Sequence, residues 1–158
     1  MKITLTIDGS EVIVAKGTNL VEAAGSVGIE IPTYCYHPGL SVVGQCRICF
    51  VEVEGLPRLV TACSTPAQDQ MVVFTESERV KEARAAVMEF LLENHPLDCP
   101  VCDQAGECGL QDYSVEHGLD STHMVDERRR YPGLERRMIG PQVIQNQNRC
   151  IHCTRCIR

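Results

Sequence analysis

Ten cysteines in a chain of 158 residues fall into three tight sets, and no other feature limits the possible fold as severely. The sets read Cys35-x10-Cys46-x2-Cys49-x13-Cys63, then Cys99-x2-Cys102-x5-Cys108, then Cys150-x2-Cys153-x2-Cys156. Domains below about 80 residues often lean on a metal or a disulfide because their cores are small. The cysteines are therefore expected to be structural as well as chemical. Disulfides require an oxidising compartment. Met1 leads straight into the strand-like Lys2-Ile-Thr-Leu-Thr-Ile7, without a basic n-region, apolar h-region or cleavage site, which predicts an intracellular chain with reduced thiols.

A formal net charge of −6 argues against non-specific nucleic-acid binding, which needs a basic surface to meet phosphates. Apolar stretches such as Ala85-Ala-Val-Met88 meet a charge within a few residues, far short of the roughly 18 that suggest a spanning helix. No direct membrane span is expected.

Periodicity organises the rest. Ile3, Leu5 and Ile7 alternate with polar residues, Asp8-Gly9 supplies a type I′ turn pair, and Val12 and Val14 resume the alternation, so a hairpin opens the chain. Thr18 or Asn19 can cap a helix through Ala23 and Ala24 that ends at Gly25 or Gly28. Phe50–Glu54, Leu59–Ala62 and Met71–Phe74 read as three further strands. The order β-β-α-loop-β-β-β predicts an α+β β-grasp, ferredoxin-like domain over residues 1–76, with cysteines in its long loop. Thr75-Glu-Ser-Glu78 has the spacing of a capping box. The helix after it should carry an apolar face of Val80, Ala83, Ala86 or Val87, and Phe90 or Leu91, with Met88, Phe90 and Leu91 read as core, and expose Lys81, Glu82, Arg84 and Glu89, ending near Asn94. A shorter helix carrying Leu110 and Tyr113 should end at Gly118, which closes a small helical domain over 77–118. Residues 119–140, rich in arginine, read as an irregular connector, and 141–158 as a brief strand followed by the start of a further cysteine domain.

The first set has one outlying cysteine, a close pair and a distant fourth, the general layout of a [2Fe–2S] loop, although plant-type ferredoxins place four rather than ten residues in the first gap. Gly39 and Gly44 would let the loop close tightly, and Arg47 could offset cluster charge. The second set has three cysteines, one short of a complete iron site, and His95 stands four residues before Cys99. A neutral imidazole can fill that vacancy, which should raise the site's potential relative to an all-cysteine one. Cys150, Cys153 and Cys156 have the spacing that supplies three ligands of a second [4Fe–4S] cube. Its fourth ligand is absent, so a truncated segment is expected. Zinc is the alternative occupant of paired C-x2-C sites.

The peptides Cys35-Tyr-His-Pro38, Gly44-Gln-Cys-Arg-Ile-Cys49, Thr61-Ala-Cys63, His95-Pro-Leu-Asp-Cys-Pro-Val-Cys102, Gly106-Glu-Cys108 and Arg149-Cys-Ile-His-Cys-Thr-Arg-Cys156 resemble the large iron–sulfur subunit of respiratory NADH–quinone oxidoreductase, in its N-terminal portion. That resemblance implies a [2Fe–2S] cluster on the first set, a histidine-ligated [4Fe–4S] cluster on His95, Cys99, Cys102 and Cys108, and the start of a second [4Fe–4S] site at the last three cysteines. It further implies an electron relay, a subunit of an oxidoreductase with no complete active site of its own. Its partners would be a flavoprotein NADH-oxidising subunit and a ferredoxin-like subunit of the quinone module. The chain would lie on the cytoplasmic face of a bacterial membrane, or on the matrix side in mitochondria. It shows no G-x-G-x-x-G after a strand, in keeping with a conduit that binds no dinucleotide. The same modules resemble the electron-input parts of NAD-linked hydrogenases and formate dehydrogenases, and a zinc-stapled docking module is the non-redox alternative.

The remaining candidates have plainer readings. His37 reads as a loop residue, His117 and His123 as solvent-facing, and His152 as either packing or a donor to a cluster sulfur. Arg128–Arg130, Arg136 and Arg137 read as a solvated surface or a docking face for an acidic neighbour.

Overall fold

A computed structural model describes residues 1–121 and 131–158. His123 and Arg128–Arg130 lie outside the described residues.

Ile3, Leu5 and Ile7 point inward from β1 (Lys2–Ile7), and β2 (Ser10–Ala15) returns antiparallel to it, with Lys2 opposite Ala15. Asp8 and Gly9 turn the chain with φ of 46° and 81°, both positive as a type I′ turn requires. The Asp8 carboxylate has a second task. It accepts from the backbone N–H of Thr75 at 2.7 Å and from the Thr75 hydroxyl at 2.5 Å, fastening the hairpin to the chain just after Phe74, which pairs beside it in the sheet. Asp8→Ala removes both bonds and leaves a Cβ residue in a left-handed turn, and should cost about 2 kcal/mol in urea unfolding. Asp8→Gly, which relieves the backbone, should cost less. Equal losses would mean that the backbone conformation contributes nothing.

Asn19 caps α1 (Leu20–Gly25), its side chain accepting from the Glu22 N–H at 3.0 Å, and Leu20, Ala23 and Ala24 are buried against the sheet. The strands β3 (Phe50–Val53), β4 (Val60–Thr61) and β5 (Val72–Phe74) complete a mixed sheet of order β2-β1-β5-β3-β4. β5 runs parallel to β1 and antiparallel to β3, with Val73 opposite both Ile7 and Val53. Leu5, Ile7, Val12, Leu20, Val51 and Val73 form the core of this unit together with Cys49 and Cys63. Each large aliphatic side chain buried there contributes about 1.5–3 kcal/mol.

α2 (Glu78–Glu93) departs from expectation in two ways. Its cap is Ser77, which accepts from the Val80 N–H, and not Thr75, whose hydroxyl is already committed to Asp8. Its buried stripe is Val80, Arg84 and Met88, while Phe90, expected in the core, is 71% exposed. Arg84 is fully buried because α2 crosses β3 at that point. Its guanidinium donates to the Phe50 carbonyl at 3.3 Å and to the Glu76 carboxylate at 2.7 Å. A charged residue read as solvent-facing thus pins the helix to the sheet.

α3 (Gly109–His117) packs on α2 through Leu110 and Met88. His117, expected in solvent, has a side chain only 12% exposed, tilts onto the Tyr113 ring, and burial lowers its pKa. The connector expected to be irregular contains β6 (Arg137–Ile139), which pairs antiparallel with β7 (Val143–Gln145). β6 has no periodicity of its own and takes its strand form from that pairing.

Candidate metal centre

The β-rich unit places the first cysteine set at one end of its sheet. Cys35 follows the buried Ile31-Pro32, Cys49 immediately precedes β3, and Cys63 lies in the single turn Ala62–Ser64 after β4; all three are at most 1% exposed. Cys46 is half-buried at the edge of a second apolar cluster. Gly44 reverses the loop just before Cys46 with φ of +62°.

Backbone amides are aimed at these sulfurs. The N–H of Cys35 donates to the Cys46 sulfur at 3.4 Å. Burial raises the Cys46 pKa, and the N–H groups of Cys35, Ile48 and Tyr34 partly offset it. The Cys63 thiol donates to the Cys49 sulfur and, with the N–H groups of Cys63, Cys49 and Ala62, pulls the Cys49 thiol down to about 7 in spite of its burial. Cys63 moves the opposite way, first through that hydrogen bond, then through burial and the nearby sulfurs of Cys49, Cys35 and Cys46. Two of these neighbouring sulfurs, Cys46 and Cys49, receive backbone N–H groups, and such donors suit thiolates bound to iron because the amides offset their negative charge. All ten cysteines are free thiols.

The second set spans two elements. Cys99 opens the turn Cys99–Val101, Cys102 follows it, and Cys108 stands at the N-terminus of α3. His95, at the end of α2, lines a cavity of about 640 Å³ together with Cys102 and Cys108. Cys99 is partly buried nearby in sequence but is not among the residues that line this cavity.

The third set has no core of its own and is held by its neighbours. Arg149 pairs with Asp98 at 3.3 Å, Arg155 donates to the Tyr36 carbonyl at 2.7 Å, Arg158 donates to the Cys35 carbonyl at 2.6 Å, and Gln45 donates to the His152 carbonyl at 3.0 Å. Cys150 and Cys156 are exposed and Cys153 is partly buried. The N–H of His152 donates to the Cys150 sulfur at 3.3 Å, in a segment where His152 and Thr154 both have positive φ. Cys150 lines one cavity with Cys46, and Cys153 lines the other with Cys102 and Cys108. The third set therefore faces both of the others. Asn146 Oδ1 and Arg149 Nε, from residues lining the cavity shared with Cys108, are buried without hydrogen-bond partners. Among the described residues, no three His, Cys, Asp or Glu side chains converge closely enough to hold a single metal ion.

Two contributors gave no signal in the sequence. Tyr34 stands between the sets only because α3 folds back over it, and Arg155 reaches the first loop from the third set. Arg47, expected to offset charge, is exposed at a left-handed turn position.

Residues 1–78 match the family described as a 2Fe-2S iron-sulfur cluster binding domain, and residues 84–123 match the NADH-ubiquinone oxidoreductase-G iron-sulfur binding region. The 78 kDa subunit of mitochondrial NADH-ubiquinone oxidoreductase from Candida albicans is 50% identical over 99% of this chain. The chain is homologous to the large iron–sulfur subunit of NADH–quinone oxidoreductase. The 75 kDa subunit from Reclinomonas americana is 49% identical, and the corresponding NADH-quinone oxidoreductase chain from Rickettsia bellii 46% identical, each over 99% of the chain. This chain spans about a fifth of the length of these large subunits, 22% in each case. Among solved structures, an NAD+-reducing [NiFe]-hydrogenase in the H2-reduced state aligns with a TM-score of 0.82 and 32% identity over 98% of this chain and 64% of that one. The family matches assign the chain a [2Fe–2S] cluster and a [4Fe–4S] cluster. No helix among the described residues is long and apolar enough to cross a membrane.

Proposed function

We propose that this chain is an electron relay in an NADH–quinone oxidoreductase, receiving electrons from a flavoprotein that oxidises NADH and passing them toward the quinone-reducing subunits. The observation that carries this reading is that one cysteine of each set, Cys46, Cys108 and Cys153, packs against a single apolar cluster, with backbone N–H groups aimed at the sulfurs of Cys46, Cys49 and Cys150. The bound clusters supply one-electron redox chemistry. The protein fixes their spacing, excludes water and tunes their potentials.

In this reading residues 1–76 are a β-grasp ferredoxin-like unit with Cys35, Cys46, Cys49 and Cys63 as ligands of the [2Fe–2S] cluster. Residues 77–118 hold the [4Fe–4S] cluster through His95, Cys99, Cys102 and Cys108. After the connector, residues 141–158 begin a second [4Fe–4S] site with Cys150, Cys153 and Cys156. As part of its complex the chain sits peripherally on the inner face of the membrane.

The test is chemical. Anaerobically purified protein should contain acid-labile sulfide, and after dithionite reduction its low-temperature EPR should show a binuclear and a four-iron signal. Colourless protein with stoichiometric zinc and no sulfide would refute the relay and favour a zinc-stapled docking module. A second reading, electron input to a hydrogenase, is supported by the likeness to the NAD+-reducing hydrogenase. Copurification with a nickel-containing subunit would favour it.

The role of His95 has its own outcome. His95→Cys should retain a four-iron cluster and lower its potential in redox-titrated EPR, because a neutral imidazole becomes a thiolate. An unshifted potential would remove His95 from the ligand set.

A further inference from the structure

Two arginines of the third cysteine set reach out of it. Thr154 is left-handed, with φ of 61°, and opens the single turn Arg155–Ile157. Side chains three residues apart eclipse in so tight a turn, which is why Arg155 and Arg158 meet the same neighbour, the loop of the first set. Arg155 donates to the Tyr36 carbonyl at 2.7 Å. Arg158 uses all three of its nitrogens: Nε donates to the Thr154 carbonyl of its own turn at 3.2 Å, Nη2 to the Cys35 carbonyl at 2.6 Å, and Nη1 to the Ser41 carbonyl. One planar fork therefore spans the loop from Cys35 to Ser41 and ties the third set to it.

The charges of these arginines are not neutralised. Among the described residues, ion pairs join Arg149 to Asp98 and Arg136 to Asp103 but engage neither Arg155 nor Arg158. A carbonyl partner solvates a guanidinium and leaves its charge in place, and the group does not deprotonate in proteins. Two fixed positive charges thus rest on the carbonyls of Tyr36 and Cys35, and the Cys35 side chain is fully buried. A cation beside a buried anionic group favours whichever of its forms is the more negative.

We infer that Arg158, assisted by Arg155, is a positioning residue through which the third cysteine set holds the loop of the first and raises the reduction potential of the cluster bound there. The inference rests on the cluster assignment proposed above. Reduction adds one electron, and with it one negative charge, to that cluster; the arginines supply no electron and release no proton. The hydrogen bonds to Cys35 and Tyr36 are part-buried, so the charges are partly screened, and Arg158, the less exposed of the two, should have the larger effect.

The experiment uses the intact, cluster-loaded protein and the variants Arg158→Gln, Arg158→Lys and Arg155→Gln, each expected to match the parent in iron and sulfide. EPR is recorded with the cell poised at the parent's midpoint for the binuclear cluster. Arg158→Gln should lower the ratio of reduced to oxidised binuclear cluster by about fivefold, and Arg155→Gln by about twofold, as partly screened charges do. Arg158→Lys keeps the charge but cannot bridge two carbonyls, and its ratio should stay within about twofold of the parent's. A parent ratio in fully loaded Arg158→Gln would overturn the inference. So would an equal fall in Arg158→Lys and Arg158→Gln, which would assign the shift to lost packing. Should Arg158→Gln fail to load its clusters, the exposed Arg155→Gln decides, and a parent ratio there would overturn the inference. Each of these results would leave the relay standing. Absence of sulfide from the parent would overturn both.

Discussion

Cys49→Ser is expected to abolish the binuclear EPR signal and lower the iron content by about two atoms per chain, with the four-iron signal retained. Cys49 is 1% exposed and packed among the core residues of the sheet unit, directly before β3. Its sulfur is the one that the Cys63 thiol and the surrounding amides pull furthest toward the thiolate. A serine hydroxyl is a far weaker iron ligand and leaves those amides facing a neutral oxygen. Because ligand binding is coupled to folding in small metal-bearing units, losing the cluster should also lower the unfolding midpoint of the sheet unit. The second set lies between α2 and α3, in the turn Cys99–Val101 and at the residue before α3, and none of its cysteines belongs to the core of the sheet unit, which is why its signal should persist. A binuclear signal surviving in Cys49→Ser would transfer ligation to another residue.

Glu76→Ala should destabilise the protein by about 3 kcal/mol, more than an ordinary surface substitution, as read from urea unfolding of the loaded protein. The Arg84 side chain is 1% exposed and Glu76 is its ion-pair partner at 2.7 Å. Removing the carboxylate leaves a guanidinium held among apolar residues with its Nε already lacking a partner. Glu76 is itself 56% exposed, so water can solvate part of the site and keeps the loss near the low end for broken buried pairs. The double variant Glu76→Ala with Arg84→Met removes the stranded charge and fills the space, and should be more stable than Glu76→Ala alone. An unchanged midpoint in Glu76→Ala would show that the pair is fully solvated.

The strands and helices around the sites were legible in the sequence where a local rule governed them. Alternation gave β1 and β2, Asp8-Gly9 gave their turn, and the apolar runs gave β3 to β5 to within a residue or two. Arg84 and Phe90 exchanged their expected places because helical periodicity says which residues share a face, and the contact with β3 decides which face is inside. Thr75 had the spacing of a cap, but Asp8, distant in sequence, claimed its hydroxyl. The cysteine grouping was legible because metal ligation imposes short fixed spacings. The junction at Tyr34 was not, since nothing local records that α3 returns over the residue before Cys35.

The position of β5 has a consequence for how the protein is made. This strand is the last of its sheet in the sequence, yet it lies between β1 and β3. Until residue 74 has left the ribosome, β1 and β3 have no common neighbour and the sheet cannot close. All four cysteines of the first set have by then been synthesised. They lie on an unfinished surface until that non-local pairing forms. Insertion of β5 then completes the core in which Cys35, Cys49 and Cys63 are at most 1% exposed.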